Sequence, residues 1–227
     1  MAIQLGFNLP GRTALERDDF MIAPSNTVAV KMIDNWRKWP LSKLVLTGPI
    51  GAGKSHLTHV WASETGARIV FASELFEMKL DILARKPIAV EDVDVIYNDI
   101  LCQTALFHLH NLLQSAGIPL LMTGIQSPRL WGLSLPDLQS RVDETHHASL
   151  EAPDDTLLSA VLAKLFVDRQ LKSKADVIPY LITHMERSFA AAHQIVDALD
   201  TVSLERQKPI TRKLAAELLD NSVNSER

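Results

Sequence analysis

Residues 48–55 read GPIGAGKS and lie between a short apolar run and a segment with a helical pattern. The stretch fits G-x-x-x-x-G-K-[ST], in which glycines let several backbone N–H groups converge on a phosphate and the next helix adds its positive end. In such a loop Lys54 reaches the β- and γ-phosphates and the Ser55 hydroxyl holds Mg²⁺. The residues predicted to form a nucleotide site here are Gly48, Pro49, Gly51, Ala52, Gly53, Lys54, Ser55 and His56.

Apolar runs rich in β-branched residues recur along the first two thirds of the chain, with helical patterns between them. Continuous apolar runs are typical of strands that are buried on both faces of a parallel sheet. The predicted strands are Lys43–Thr47, Ala67–Ala72, Pro87–Val93, Ile118–Gly124 and, more weakly, His147–Glu151. The predicted helices between them are Ser55–Thr65, Ser73–Ala84 and Cys102–Ala116. This alternation indicates an α/β fold with a parallel five-stranded sheet between helices.

The pattern changes after Pro153, beyond which only helices are predicted. Asp154 and Asp155 suit the start of a helix, because acidic side chains are favourable at a helix N-terminus. Further helices are predicted over 175–184, 187–206 and 212–220, the last with Thr211 as its N-cap. We therefore divide the chain into a terminal tail (1–12), an α/β nucleotide-binding base domain (13–152) and a small all-α domain (153–227).

Two acidic residues, Glu91 and Asp92, stand at the end of the third predicted strand. An acid at this place holds Mg²⁺ beside a bound nucleotide, and a second acid orients the attacking water. We assign Glu91 to the magnesium ion, together with Ser55, and Asp92 to catalysis. The alternative is a solvated acidic turn, since Asp94 follows closely.

Composition argues against several classes of function. A net charge of −4 over 227 residues is not the basic footprint of a protein that binds nucleic acid directly. Cys102 is the single cysteine, so no disulfide forms within the chain, as expected in a reducing compartment. No apolar run approaches the roughly 20 residues that span a bilayer, and the N-terminus lacks a secretory signal pattern. We expect a cytoplasmic protein.

Several further segments occur in a fixed order around the phosphate loop. With it they resemble the AAA+ module of the bacterial replication initiator DnaA, followed by the helical lid of that module. The segments are 20–26 (FMIAPSN), 91–92 (ED), 120–124 (LLMTG), 135–142 (LPDLQSRV), 185–200 and 208–219. The sequence shows no counterpart of the DNA-reading domain of DnaA. A lone module with a short apolar tail resembles the Hda family of DnaA inactivators, above all its alphaproteobacterial branch.

The resemblance implies roles for residues around the nucleotide of this chain. Phe20, Ile22 and Asn26 match the segment that wraps the adenine of ADP or ATP. Thr123 matches the polar sensor at the end of the fourth strand, and Arg187 the lid arginine that touches the phosphates. The alternative for Arg187 is an ordinary arginine on a helix surface.

Arg141 matches the arginine finger of the same module. An arginine finger places its guanidinium on the γ-phosphate of a neighbouring subunit and stabilises charge in the transition state. In an inactivator this residue would enter the ATP site of DnaA. The alternative is a surface salt bridge of Arg141 with Asp137 or Glu144.

The N-terminal stretch QLGFNLP, residues 4–10, has neither a helical nor a strand period. In the Hda family such a tail binds the replicative sliding clamp, and a short extended peptide with a few apolar anchors suits a preformed groove. Gln4 would bond at the rim of the groove, and Leu5 with Phe7 or Leu9 would fill it. The alternative is that the segment packs on its own domain.

The resemblance thus implies a regulator that binds ADP or ATP with Mg²⁺ and contacts DnaA and the clamp, with self-association left open. Glu91 stands where the family usually has Asp, and Thr123 is the sole candidate for its sensor, so we expect weak ATP hydrolysis by this chain. Two rival hypotheses are an autonomous ATPase or helicase loader of the same superfamily and an adaptor that binds no nucleotide.

Overall fold

The computed structural model describes residues 20–206 and 209–225. Parallel strands form one five-stranded sheet in the order β2-β3-β4-β1-β5. The strands are β1 (Lys43–Thr47), β2 (Arg68–Phe71), β3 (Ile88–Glu91), β4 (Leu120–Gly124) and β5 (His147–Ser149). The helices are α1 (Thr27–Asp34), α2 (Lys54–Thr65), α3 (Leu80–Leu83), α4 (Ile100–Ala116), α5 (Pro136–Asp143), α6 (Asp155–Asp168), α7 (Val177–His184), α8 (Phe189–Arg206) and α9 (Arg212–Ser225). The predicted α/β fold with a helical lid is confirmed.

The three central strands β3, β4 and β1 are buried at every residue, as their continuous apolar runs predict. Their side chains alternate between two cores on opposite faces of the sheet. In β1, Val45 joins the core that contains residues of α4 and α5, whereas Leu44 and Leu46 join the core that contains residues of α1 and α2. Both faces of the sheet are therefore covered, and its edges and strand ends remain for function.

The predicted continuous helix over Ser73–Ala84 is wrong. The chain forms a 3-10 helix over Ala72–Glu77 and the short helix α3, and Met78 between them is extended. Both pieces pack on α4, and the Ser73 carbonyl accepts a hydrogen bond from Cys102 Sγ at 3.3 Å. Packing on α4 therefore overrides the local helical pattern.

Two tryptophans connect α1 to the core that lies on one face of the sheet. Trp39 stacks on Trp61 with ring centroids 5.4 Å apart. The indole Nε1 of Trp39 donates to the carbonyl of Met32 in α1 at 2.7 Å. Helix α1 itself has no strong sequence signal, and its bounds come from the structure alone.

The helices α6 to α9 enclose a third core of their own. Asp154 caps α6, because its side chain accepts a bond from the backbone N–H of Leu157 at 2.7 Å, and Thr211 caps α9 less tightly. Among the helices in the described part of the chain, none combines the length and apolarity that a membrane span needs. The division into 1–12, 13–152 and 153–227 stays a prediction, and its first part lies outside the described residues.

Candidate nucleotide-binding site

The phosphate loop connects the end of β1 to the start of α2 and has the tight backbone that its glycines predict. Gly51 and Gly53 have φ values of 74° and 96°, a region that L side chains rarely adopt. A Cβ atom on Gly51 would lie 2.4 Å from Cβ of Ser188 in the lid. Glycine is required at position 51 for both conformation and close approach.

The Lys54 side chain folds back over this loop. It is buried, and its Nζ donates to the carbonyl oxygens of Gly48 at 2.7 Å and Pro49 at 3.0 Å. Burial lowers the pKa of Lys54, while the carboxylates of Asp92, then Asp94 and Glu91, act in the opposite direction. The cation therefore lies near the predicted acids.

The predicted acids lie at the carboxyl end of β3, which is separated from β1 by β4. Glu91 ends β3 and is buried, and its Oε1 has no hydrogen-bond partner among the residues that the structure describes. Asp92 follows in the left-handed region, and its N–H donates to the hydroxyl of Thr123 in β4 at 3.1 Å. Asp94 accepts from the Ile125 N–H at 2.9 Å with one oxygen, while its other oxygen is buried and unpartnered. Thr123 thus orients the acidic turn.

The oxygen atoms of Ser55 and Glu91 suit Mg²⁺ better than a metal that requires all of its ligands from the protein. Within residues 20–206 and 209–225, no cluster of three or more His, Cys, Asp or Glu side chains is arranged to hold a metal. Mg²⁺ keeps several waters and takes one or two carboxylates together with nucleotide phosphates. The exposed Ser55 hydroxyl and the orphaned Glu91 oxygen fit that pattern.

A cavity of about 70 Å³ opens between the base and the lid, next to the phosphate loop. Phe20 and His56 form one wall, with their rings edge to face and 5.1 Å between centroids. Leu165, Phe189 and His193 of the lid also line the cavity. An apolar slot of this kind, adjacent to a phosphate loop, suits an aromatic base.

The segment that precedes α1 contributes some side chains to the cavity and holds others away from it. Asn26 is buried, and its amide bonds the N–H of Ala23 and the carbonyl of Met21, each at 2.9 Å. Met21 lines the cavity, whereas Ile22 is 56% exposed and does not. Asn26 therefore holds the loop that positions Phe20.

The lid touches the phosphate loop through the start of α8. The N–H of Phe189 donates to the carbonyl of Gly51 at 2.9 Å, and the hydroxyl of the preceding Ser188 accepts from the N–H of Ala191 at 3.0 Å. Arg187, one residue earlier, is exposed and forms an ion pair with Asp155 at 2.9 Å. The predicted contact of Arg187 with phosphate stays a prediction.

Arg141 lies away from this site. It is exposed on α5, where its carbonyl accepts from the Thr145 hydroxyl at 2.8 Å, and it lines a cavity beside Lys43, the first residue of β1. The phosphate loop follows the last residue of β1, at the other end of the strand. In the part of the chain that the structure describes, the guanidinium of Arg141 pairs with neither Asp137 nor Glu144.

Sequence reasoning did not identify Met21, Leu165, Phe189 or His193 in the base cavity. Each is an unremarkable apolar or aromatic residue in its own segment, and the fold alone brings them together. The predicted clamp-binding residues Gln4, Leu5, Phe7 and Leu9 lie outside the described residues.

Comparison with solved structures identifies the fold. Domain III of the replication initiation protein DnaA from Thermotoga maritima is similar with a TM-score of 0.80 and 18% identity, over 94% of this chain and 98% of that one. The replication initiator DnaA bound to AMPPCP and single-stranded DNA gives 0.72 and 16%, over 84% of this chain and 66% of that one. A RuvB variant from Thermotoga maritima gives 0.65 and 14%, over 86% and 67%.

The sheet order, the phosphate loop and the helical lid define a DnaA-like AAA+ module. Residues 155–219 match the family model described as "Hda, lid domain". The lid is thus similar to the Hda lid family, and the resemblance drawn from the sequence is confirmed.

Proposed function

We propose that this chain is a cytoplasmic regulator of chromosomal replication initiation that binds ADP or ATP with Mg²⁺. It docks on the sliding clamp through Gln4, Leu5, Phe7 and Leu9 and stimulates ATP hydrolysis by DnaA through Arg141. The observation that carries the proposal is the position of Arg141, exposed and without an ion pair in the described residues, on a DnaA-like module with an Hda lid.

Nucleotide binding by this chain is supported by the geometry around Gly48–Ser55. The loop presents backbone N–H groups at the start of α2, Lys54 lies over it, and the cavity at Phe20 and His56 accepts an adenine. Magnesium, when bound, neutralises phosphate charge there, and Ser55 with Glu91 would hold it. Thr123 fixes the backbone of Asp92, which orients water.

The position of Arg141 supports a role at the nucleotide of a neighbouring subunit. Strand β1 separates its surroundings at Lys43 from the phosphate loop, and five residues of strand span roughly 13–16 Å. A guanidinium on this face stabilises a γ-phosphate only if that phosphate belongs to a neighbour. DnaA is the partner that the Hda lid supports, and a DnaA of this fold is described as bound to AMPPCP.

The test is ATP hydrolysis by ATP-loaded DnaA with this protein and DNA-loaded clamp. Arg141→Ala should abolish stimulation, because the guanidinium is the stabilising group, while clamp binding and nucleotide affinity stay unchanged. Arg129→Ala, at another exposed arginine, is the matched control. Full stimulation by Arg141→Ala would exclude the arginine-finger role.

Clamp docking is tested separately by binding to purified sliding clamp. The triple variant Gln4→Ala/Leu5→Ala/Phe7→Ala should lose binding, because the polar anchor and two apolar anchors are removed together. Arg141→Ala serves as the control and should bind like wild type. Equal binding by the triple variant would locate the clamp contact elsewhere.

An autonomous ATPase or helicase loader is the second candidate, and the ordered Thr123–Asp92 contact favours it. Steady hydrolysis by this protein alone, lost in both Lys54→Ala and Asp92→Asn, would support it. Hydrolysis that occurs only with DnaA present would support the regulator.

A further inference from the structure

Lys43, at the start of β1, is a buried cation that forms no ion pair with an acidic side chain within residues 20–206 and 209–225. Its side chain is 1% exposed, although the position lies in a strand whose other residues are apolar or small and polar. Burying a charge is strongly unfavourable unless a counter-charge or hydrogen bonds compensate it. The surroundings of its amino group therefore decide what Lys43 does.

Two side chains of α4 contact this amino group. Nζ lies 2.9 Å from Oε1 of Gln114, to which it donates, and 3.3 Å from Nδ1 of His110. His110 is itself buried, and its pKa is lowered to about 4, chiefly by burial and then by Lys43. A lysine ammonium carries three donor hydrogens, so one donor remains after these two contacts within the described part of the chain.

A small cavity adjoins the Lys43 amino group at this point. Its volume is about 30 Å³, and its lining includes Lys43, His110, Arg141, Glu144 and His146. One water molecule needs roughly 10–15 Å³ of such cavity volume. The cavity thus has room for a chloride ion or for the two oxygens of one carboxylate.

The charges around the cavity are not balanced. Arg141 adds a second positive charge. The pKa of Lys43 is lowered to about 8, mainly by burial of its amino group and secondly by the charge of Arg141. Glu144 is the one carboxylate in the lining, yet it is exposed and, across the described ranges, forms no ion pair with Lys43 or Arg141. An anion in the cavity would supply the missing charge and the third hydrogen-bond acceptor.

We propose that the cavity between Lys43 and Arg141 is a binding site for one small monoanion of the carboxylate class. Arg141 is exposed at its mouth, so an acidic side chain of a protein docked on this face enters the same site as a free anion would. Occupation of the site by a side chain of a docked protein rests on the proposed function, whereas the existence of the site does not.

The site has a pH dependence with a defined direction. Protonated Lys43 attracts the anion, and with a pKa of about 8 it is mostly protonated at pH 7. At pH 9.5 about one molecule in 30 retains the proton, so affinity falls about 30-fold if the anion requires it. The pKa of His110, lowered to about 4, lies far below this interval, so His110 does not produce this loss.

The test is a titration with sodium acetate followed by backbone amide NMR shifts, with ionic strength held constant by a bulky sulfonate salt. Saturable shifts at Leu44, Gln114 and Arg141 are expected at pH 7 and a roughly 30-fold weaker response at pH 9.5. Lys43→Met should abolish them. Lys31→Met, at an exposed lysine of α1, should behave like wild type.

A second variant separates this site from the phosphate loop, which also attracts anions. Lys54→Ala should keep the shifts at Leu44 and Gln114 unchanged, whether or not the chain binds nucleotide. Shifts that persist in Lys43→Met, or that are equal at pH 7 and pH 9.5 in wild type, would overturn the proposal. The wild-type pH comparison decides the matter even if Lys43→Met fails to fold.

Stimulation of DnaA then distinguishes a side chain of the partner from a free anion as the occupant of the site. If an acidic side chain of the partner occupies the site, Lys43→Met should raise the DnaA concentration for half-maximal stimulation, and added acetate should do so in wild type. If a free anion occupies it, both measurements stay at their wild-type values while the NMR shifts remain.

Discussion

Lys43 and Lys54 stand at the two ends of the β1–loop segment and are buried under different electrostatic conditions. Burial lowers the pKa of both. At Lys54, the nearby carboxylates of Asp92, Asp94 and Glu91 partly offset this effect. At Lys43 the second influence is Arg141, which has the same sign. The unfavourable burial of a positive charge is thus partly offset at Lys54 and reinforced at Lys43.

The unfavourable burial of the Lys43 charge predicts the effect of Lys43→Met on stability. In wild type the free energy of unfolding should rise as pH increases from 8 to 10.5, because over that interval the unfolded chain holds a proton that folded Lys43 has lost. Lys43→Met should remove this rise and be more stable at pH 7 by about 1–3 kcal/mol. Urea unfolding at pH 7 and pH 10 measures both effects, and an unchanged slope with pH would contradict them.

Gly51→Ala should disturb the phosphate loop more than its backbone strain alone explains. Left-handed φ costs a residue with Cβ roughly 1–2 kcal/mol, and at Gly51 the added methyl also meets Ser188. Gly117→Ala is the matched control, since Gly117 has φ 64° and nothing within 4 Å of an added Cβ. Nucleotide affinity should fall only in Gly51→Ala, and calorimetric titration of both variants would show whether it does.

At the residue scale, the sequence predicts what is local. The phosphate loop is a continuous motif, so its residues and their chemistry follow from eight letters. The contacts of Lys43 join residues 67 and 71 positions apart, and no local pattern marks them. Met21 replaces Ile22 in the base cavity because loop geometry, not residue type, decides which side chain turns inward.

At the element scale, the start of α8 is the contact through which the lid meets the base. Phe189 donates to Gly51 from the first turn of the helix, so the two domains share a backbone hydrogen bond at the phosphate loop. The strands were predictable, since their apolar runs are complete within each element. The break at Met78 was not, because it results from packing of Ala72–Glu77 and α3 on α4.

The N-terminus of α6 provides a test at this scale. Asp154→Ala should destabilise the protein by about 1 kcal/mol, since it removes the oxygen that accepts from the Leu157 N–H. Asp155→Ala is the comparison: it breaks the exposed pair with Arg187, worth roughly 0–1 kcal/mol, and it removes an acidic side chain from the first turn of α6. Urea midpoints of the two variants give the order, and a larger loss in Asp155→Ala would show that the Arg187 pair holds the lid.

At the scale of the whole molecule, the nucleotide would bind to both domains at once. The base supplies the phosphate loop and Phe20, and the lid supplies Leu165, Phe189 and His193. The sequence predicted both domains and their order, but the cavity between them depends on how they dock. Ligand binding should therefore stabilise the molecule as one unit.

ADP with Mg²⁺ should raise the melting temperature of the full chain, because a ligand bound only by the folded state stabilises it. At about 100 times its dissociation constant the gain is about 2.7 kcal/mol, or roughly 5–10 °C for a chain of this size. Lys54→Ala should lose the shift, since the cation over the loop is gone, whereas Lys31→Ala, at an exposed lysine, should keep it. Thermal scans with and without ADP measure this. An equal shift in Lys54→Ala would place the nucleotide elsewhere, and no shift in wild type would favour the adaptor that binds no nucleotide.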